Sequence, residues 1–223
     1  MSQIYAVSDI HGYGHLLEAL LQHVRYRPEN DRLFLLGDYV NKGPDSGGTL
    51  DYVMKLCDAG AIALQGNNER KWLHLRPEQA GLSASNFKKY QEFIATLPLW
   101  TEYEHYLFVH AGIRPNVSIH DQKPEDLTEI REPFHQAPRV FGHTIVFGHT
   151  STFRLGAAPD ELWYGDGKLG IDTGAGHGYY ISLVNLTAGI QTFISVQQPE
   201  RIMNRKMSIK APVNLPISRR PRS

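Results

Sequence analysis

Leu33-Phe34-Leu35-Leu36-Gly37-Asp38-Tyr39 is an apolar run cut off by Gly-Asp. A run this short, bounded by a turn signal, reads as a buried strand that ends by delivering a carboxylate into the loop behind it. The same grammar recurs on both sides. Residues 4–8 lead into Asp9-Ile10-His11-Gly12, and residues 61–64 lead towards Gly66-Asn67-Asn68-Glu69. Further on, residues 106–109 lead into His110-Ala111-Gly112, and residues 145–147 into Gly148-His149-Thr150. Polar residues able to hold a metal therefore recur where strands end and loops begin, which is where an open sheet concentrates its ligand-binding groups.

Between the early strands lie helical patterns. Leu16, Leu17, Leu20, Leu21 and Val24 mark one apolar face, and Leu50, Val53, Met54 and Cys57 mark another, closed by Asp58-Ala59-Gly60. A third helix is expected over residues 85–97, where apolar positions recur at three and four before Pro98, and a fourth over 124–132. Three later strands, at 169–172, 179–185 and 191–196, lie close enough in sequence to form hairpins. Strand and helix alternating, then a series of strands, predict an α/β fold of layered sandwich type.

The 223 residues, 41% hydrophobic and 21% charged, suit one domain with a real core. Residues 1–200 are expected to form it, with 201–223 as a basic C-terminal extension. That extension carries seven basic and no acidic residues, which leaves the rest of the chain at a formal charge of −7. A surface-strapped or mobile tail is its plain reading; a nucleic-acid arm has the least support, because the body is acidic and the tail lacks interleaved aromatics. No run reaches the ~18 apolar residues of a membrane helix, so no membrane partner is expected. The first residues lack the layout of a signal peptide, and Cys57 is the single cysteine, so the expected compartment is the cytoplasm and any metal must use nitrogen and oxygen ligands.

Asp9 and His11, one residue apart before Gly12, can face one metal. Asp38 has two carboxylate oxygens and can bridge to a second, completed by Asn67, His110 and His149. Such a mixed imidazole and oxygen set suits Mn first, with Fe, Zn or Ni also accommodated, and does not suit Ca. Two divalent metals ~3.5–4 Å apart lower the pKa of a shared water and clamp a transferring phosphoryl group. Taken singly, each piece has a duller reading: Gly-Asp is a turn, Gly-Asn-Asn-Glu a capped helix start, a lone histidine a core or surface residue. Their conjunction in one order favours the metal site. His143 repeats the Gly-His-Thr phrase of His149 but lacks an apolar run before it, so the ligand role goes to His149.

From residue 4 to about residue 186 the chain resembles the calcineurin-like metallophosphoesterases. The likeness is to their phosphoprotein phosphatase branch, which includes bacterial and phage serine/threonine phosphatases and symmetrical diadenosine tetraphosphatases. Asp9, His11, Asp38, Asn67, His110 and His149 fall on that family's metal-ligand positions, and Gly170-Ile171-Asp172-Thr173-Gly174-Ala175 looks like its closing signature. The resemblance implies a layered αββα sandwich and two divalent metal ions. It also implies phosphate monoester hydrolysis of the serine/threonine phosphatase kind by a metal-bridging hydroxide, with dinucleoside polyphosphate hydrolysis as the alternative. Arg131 resembles the family's helix-borne arginine, whose guanidinium fork grips phosphate. Expected substrates are a phosphoprotein, a small phosphate ester or a dinucleoside polyphosphate.

Three positions depart from the pattern. Asn68 stands where the family has the histidine that protonates the leaving oxygen, and an amide gives up no proton at neutral pH. Asn41 replaces the aspartate that orients that histidine in the protein phosphatases, and Lys42 replaces an arginine, giving a point charge for substrate in place of a fork. An enzyme for leaving groups that need no proton, a weakened phosphatase or metal- and phosphate-binding protein, and an engineered His-to-Asn change all remain open. Trp72, His74, Arg76 and Arg114 lie in loops that could touch a base or a peptide.

Overall fold

The computed structural model describes residues 2–139 and 142–208. Two sheets stack face to face. The first takes β1 (Ile4–Val7), β2 (Arg32–Leu35), β3 (Ile62–Ala63), β9 (Tyr180–Asn185), β10 (Ile190–Ser195) and β11 (Ile202–Lys206) in the order β11-β10-β9-β1-β2-β3. The second takes β4 (Trp100–Tyr103), β5 (Tyr106–Val109), β6 (Thr144–Phe147), β7 (Trp163–Gly165) and β8 (Lys168–Gly170) in the order β4-β5-β6-β8-β7. In each sheet three strands run parallel, β1-β2-β3 and β5-β6-β8, and the remaining pairings are antiparallel.

Alternation along the strands sorts side chains into layers. Ile4, Ala6 and Phe34 point inward to meet Phe108, Val146 and Leu169 of the other sheet, and Phe34 stacks on Phe108 at 3.9 Å between ring centres. Tyr5, Val7, Leu33 and Leu35 point the other way and are covered by α1 (Gly14–His23), α2 (Ser46–Asp58), Trp72 of α3 (Asn67–Trp72) and α4 (Ala84–Thr96). Leu107, Val109, Ile145 and Phe147 fill the outer face of the second sheet, under α5 (Pro124–Glu129) and the segment that carries Ile130 and Phe134. The central strands β1, β2, β5 and β6 are apolar on both faces because each is covered on both sides. The expected αββα layering is the observed one.

Local signals set the helix ends. Asp45 caps α2 by accepting from Gly48 N–H, and Ser83 caps α4 by accepting from Asn86 N–H. The helix expected over 124–132, α5, stops at Glu129, three residues short, because Pro133 has no N–H for the Glu129 carbonyl and restricts the residue before it. Arg131 therefore follows the helix and is not borne on it. The first sheet also continues past residue 200: β11 pairs with β10 over Ile190↔Lys206 to Ile194↔Ile202, so the start of the basic extension is a sheet edge. The remainder of that extension, 209–223, lies outside the described residues.

Candidate metal centre

All five motif loops meet at one seam between the two sheets, beyond the carboxyl ends of β1, β2, β3, β5 and β6. Backbone hydrogen bonds stitch the first two together, from Asp9 N–H to Gly37 O (3.1 Å), His11 N–H to Asp38 O (2.9 Å) and Gly12 N–H to Tyr39 O (2.7 Å). The seam is crossed by His149 N–H donating to Asp9 Oδ2 at 2.9 Å and by His110 Nδ1 donating to Leu36 O at 2.7 Å. Gly148 is the residue that lets the sheets approach, since a Cβ there would overlap the side chains of Ser8 and Asp9. Asp9, His11, Asp38, Asn41, Lys42 and His149 all hold positive φ between 46° and 67°. Non-glycine residues rarely adopt that conformation, and a cluster of them marks a place where the fold imposes geometry for a purpose other than its own stability.

The six side chains proposed as metal ligands converge, and all but half-buried His149 are buried. They form two half-sites that share Asp38. Asp38 Oδ2 lies 3.6 Å from His11 Nε2, which is 3.8 Å from Asp9 Oδ1. Asp38 Oδ1 lies 3.5 Å from His110 Nε2, while Asn67 Oδ1 is 3.0 Å from that nitrogen and 2.9 Å from His149 Nδ1. Ligand atoms of Asp9, Asp38 and His110 all fall within 4.8 Å of one another. His11 donates its Nδ1–H to Val40 O at 3.0 Å, and His110 its own to Leu36 O, which leaves each Nε2 lone pair facing the centre. A backbone carbonyl behind an imidazole is the usual support of a metal-bound histidine.

Electrostatics agree with a cation-binding site. Burial, then the charges of Asp172 and Asp38, push Asp9 well above the usual carboxylate range. Burial also works against ionised Asp38, but His110, His11 and two donors from Asn68 outweigh it and hold Asp38 below its ordinary value. His149 is lowered to about 3 by burial and by the charges of His110 and Arg131, and burial lowers His11 as well, so both imidazoles are neutral donors. Crowded carboxylates beside neutral histidines are a donor set that divalent cations satisfy, so the residues present fit the metal pair implied by the sequence.

Lys42 reaches into the first half-site, with Nζ 3.1 Å from His11 Nε2. Arg131 is exposed, but its charge is close enough to depress His149. Asn68 sits over the shared carboxylate: its N–H donates to Asp38 Oδ1 (2.9 Å), its Nδ2 donates to Asp38 Oδ2 (2.6 Å), and its Oδ1 accepts from Asn41 Nδ2 (2.8 Å). Trp72 Nε1–H closes the chain by donating to Asn41 Oδ1 at 3.0 Å. Trp72 is thus a buried support and not a loop contact for ligand, and Arg114 is held by Asp126 through two hydrogen bonds of 2.9 and 2.5 Å. His143 stands before β6 and His149 after it, at opposite ends of the strand.

Sequence reasoning gave no role to Glu69 or Asp172. Glu69, fully buried, accepts from the N–H groups of Asp38 (2.7 Å), Tyr39 (2.8 Å) and Gly66 (2.9 Å), and so fixes the loop that presents Asp38. Burial and the Asp38 charge raise it to about 8. Its place three residues into the turn after Gly66, the reach-back position of a capping box, was the available signal. Asp172 accepts from Ser151 Oγ and Gly174 N–H, both at 2.8 Å, and ties two rim loops together beside Asp9.

Two stacked mixed sheets carrying a shared-carboxylate centre at their seam define a class of metal-dependent hydrolase. The sequence model of the calcineurin-like phosphoesterases matches residues 2–170, and the chain belongs to that family. It is 36% identical over 129 residues to a symmetrical bis(5'-nucleosyl)-tetraphosphatase of Nitrosomonas europaea, covering 52% of this chain and 46% of that protein. With the protein of the same name from Pseudomonas syringae it shares 44% over 72 residues, 32% of this chain and 23% of the other. The matched stretch is thus less than half the length of these relatives. Among solved structures, a candidate diadenosine tetraphosphatase superposes with a TM-score of 0.69 at 24% identity, covering 92% of this chain and 94% of the other. A protein serine/threonine phosphatase from Saccharomyces cerevisiae gives 0.60 at 14%, covering 95% and 81%. At those identities the structural likeness is one of fold.

Proposed function

We propose that this chain is a divalent-metal-dependent hydrolase of phosphoric anhydrides, with dinucleoside polyphosphates as its substrate class. The observation that carries this is the pair of amides, Asn41 and Asn68, over Asp38. Where a proton donor for the leaving oxygen would stand, there is an amide that donates to a carboxylate and cannot be deprotonated at neutral pH. A departing nucleotide phosphate, whose conjugate acid titrates near ~6, leaves as a stable anion. A serine alkoxide does not, and forfeits general-acid help worth ~10²–10⁴. The names of the matched relatives support the same substrate class. The protein serine/threonine phosphatase reading is second, because it requires the harder leaving group.

When bound, two divalent ions, Mn first and Fe, Zn or Ni also compatible with the donors, supply Lewis acidity and lower the pKa of a shared water. Asp9 and His11 would hold one and Asn67, His110 and His149 the other, with Asp38 common to both. Asn68 keeps both Asp38 oxygens oriented. Lys42 and Arg131, on either side of the centre, neutralise the phosphate oxygens, Arg131 as a fork and Lys42 as a point charge.

A substrate series in Mn²⁺ tests the reading: diadenosine tetraphosphate, an aryl phosphate and a phosphoserine peptide. The first two should be hydrolysed, the third slower by about 10²-fold or more. Faster cleavage of the peptide overturns the proposal, and binding of Mn²⁺ and phosphate without turnover of any substrate leaves a binding protein in its place.

A further inference from the structure

An aromatic cluster stands on the rim of the metal centre with no part in the chemistry above. Tyr179 is 40% exposed, which is unusual for so large a ring, and it packs edge-on to Phe153 at 5.2 Å between ring centres. His177 meets the same Phe153 at 5.6 Å, and the exposed Arg154 guanidinium lies 5.9 Å from the Phe153 ring centre. The cluster joins two loops, the 3-10 turn Thr152–Leu155 and the turn Ala175–His177.

Both loops are tied to the site. Asp172 accepts from Ser151 Oγ on one side and from Gly174 N–H on the other, and Thr152 N–H donates to Asp172 O at 2.8 Å. A Cβ at Gly176 would run into the His11 ring and Lys42 Cδ, so this loop lies directly on the first half-site. Lys42 and Arg154 both act on His177, and the cluster therefore borders the cations that face phosphate. A flat apolar group attached to a phosphate held at Lys42 has these rings beside it, across the turn that carries Gly176.

Resting on the dinucleoside polyphosphate reading, we propose that Phe153, His177 and Tyr179 form the platform on which the nucleobase of the substrate stacks, with Arg154 contacting the adjoining phosphate. Every base has a π-face, and loss of one stacking ring costs about 5- to 150-fold in affinity. The platform makes the enzyme prefer nucleotides over bare polyphosphate and sets no strong choice among bases.

Calorimetric titration of the Mn²⁺-loaded protein with α,β-methylene-ADP and with methylenediphosphonate isolates the nucleoside, because the two probes share the methylenediphosphonate, and the Tyr179 variants then assign the stacking part. The native protein should bind the nucleotide about tenfold more tightly or better. Tyr179→Ala should bring the ratio of the two affinities towards one, while Tyr179→Phe should keep it; Tyr179 is exposed enough for both variants to fold. Equal affinities in the native protein, or a ratio that Tyr179→Ala leaves alone, overturn the platform. Turnover separates the two claims. If diadenosine tetraphosphate is not cleaved yet the nucleotide preference holds, the functional reading falls and the platform stands; if it is cleaved with no preference, the reverse is true.

Discussion

Asn68 uses both ends of its amide. Its nitrogen holds Asp38 and its oxygen takes a hydrogen bond from Asn41, which in turn accepts from Trp72. A histidine at 68 would need an acceptor to fix its ring, and Asn41 provides an amide where a carboxylate would serve. The pair therefore has to change together. Asn41→Asp still accepts from the Trp72 indole, so Asn41→Asp with Asn68→His is the exchange that the network tolerates. We expect the double variant to raise kcat on an alkyl phosphate or phosphoserine peptide by about 10²-fold or more, with a much smaller effect on an anhydride. Equal gains on both substrates, or none on the ester, would show that proton delivery is not what separates this site from an esterase.

At the scale of elements, what could be read from the sequence follows burial. The central strands β1, β2, β5 and β6 are apolar runs because both of their faces are covered, and they stood out as such; β9 and β10 are mostly buried but carry the polar Ser182, Gln191 and Thr192. The strands that went unread, β4, β7 and β11, are all sheet edges with half-exposed, mixed patterns such as Trp100-Thr101-Glu102-Tyr103. The proposed ligand set could be named from the sequence because each member follows a readable strand, and the structure brings those six side chains together. Glu69 had one local signal, its capping-box position, but its grip on the Asp38 loop, like the roles of Asp172 and the rim aromatics, arises from loops brought together only by tertiary packing. The segment after α5 is of the same kind. It lays His135 against Phe134, Phe147 and Trp163, where its side chain is 5% exposed and its Nε2 has no hydrogen-bond partner among the described residues. Burial first, then Arg131 and Lys168, lower its pKa despite Glu132 nearby. A histidine whose folded pKa lies below its unfolded ~6.5 binds fewer protons when folded. Its contribution is complete above that value and is lost as pH falls through and below it, by at most about 1.4 kcal/mol per pH unit. His135→Phe should therefore flatten the fall in thermal midpoint between pH 7.5 and pH 5.5; an unchanged slope would mean that this imidazole does not carry the pH dependence.

Across the whole molecule, the two sheets are joined by an apolar interface and, at one end, by the polar seam of the candidate metal centre. Asp9, His11, Asp38 and Asn67 come from the loops of the first sheet, and His110 and His149 from those of the second. A cation held by both groups binds the folded chain and finds no such cage in the unfolded one, so occupancy stabilises by mass action. Free Mn²⁺ at a hundred times its dissociation constant should add about 2.7 kcal/mol. For a chain of this length that corresponds to a rise of roughly 5–10 °C in the thermal midpoint, reversed by chelation. Asp38 is the one side chain common to both half-sites, so Asp38→Asn should remove most of the rise, whereas exchanging a residue of one half-site, as in His149→Ala, should remove only part of it. A rise that survives Asp38→Asn intact would place the stabilising cation elsewhere, and the shared-carboxylate centre would then have to be given up along with the mechanism built on it.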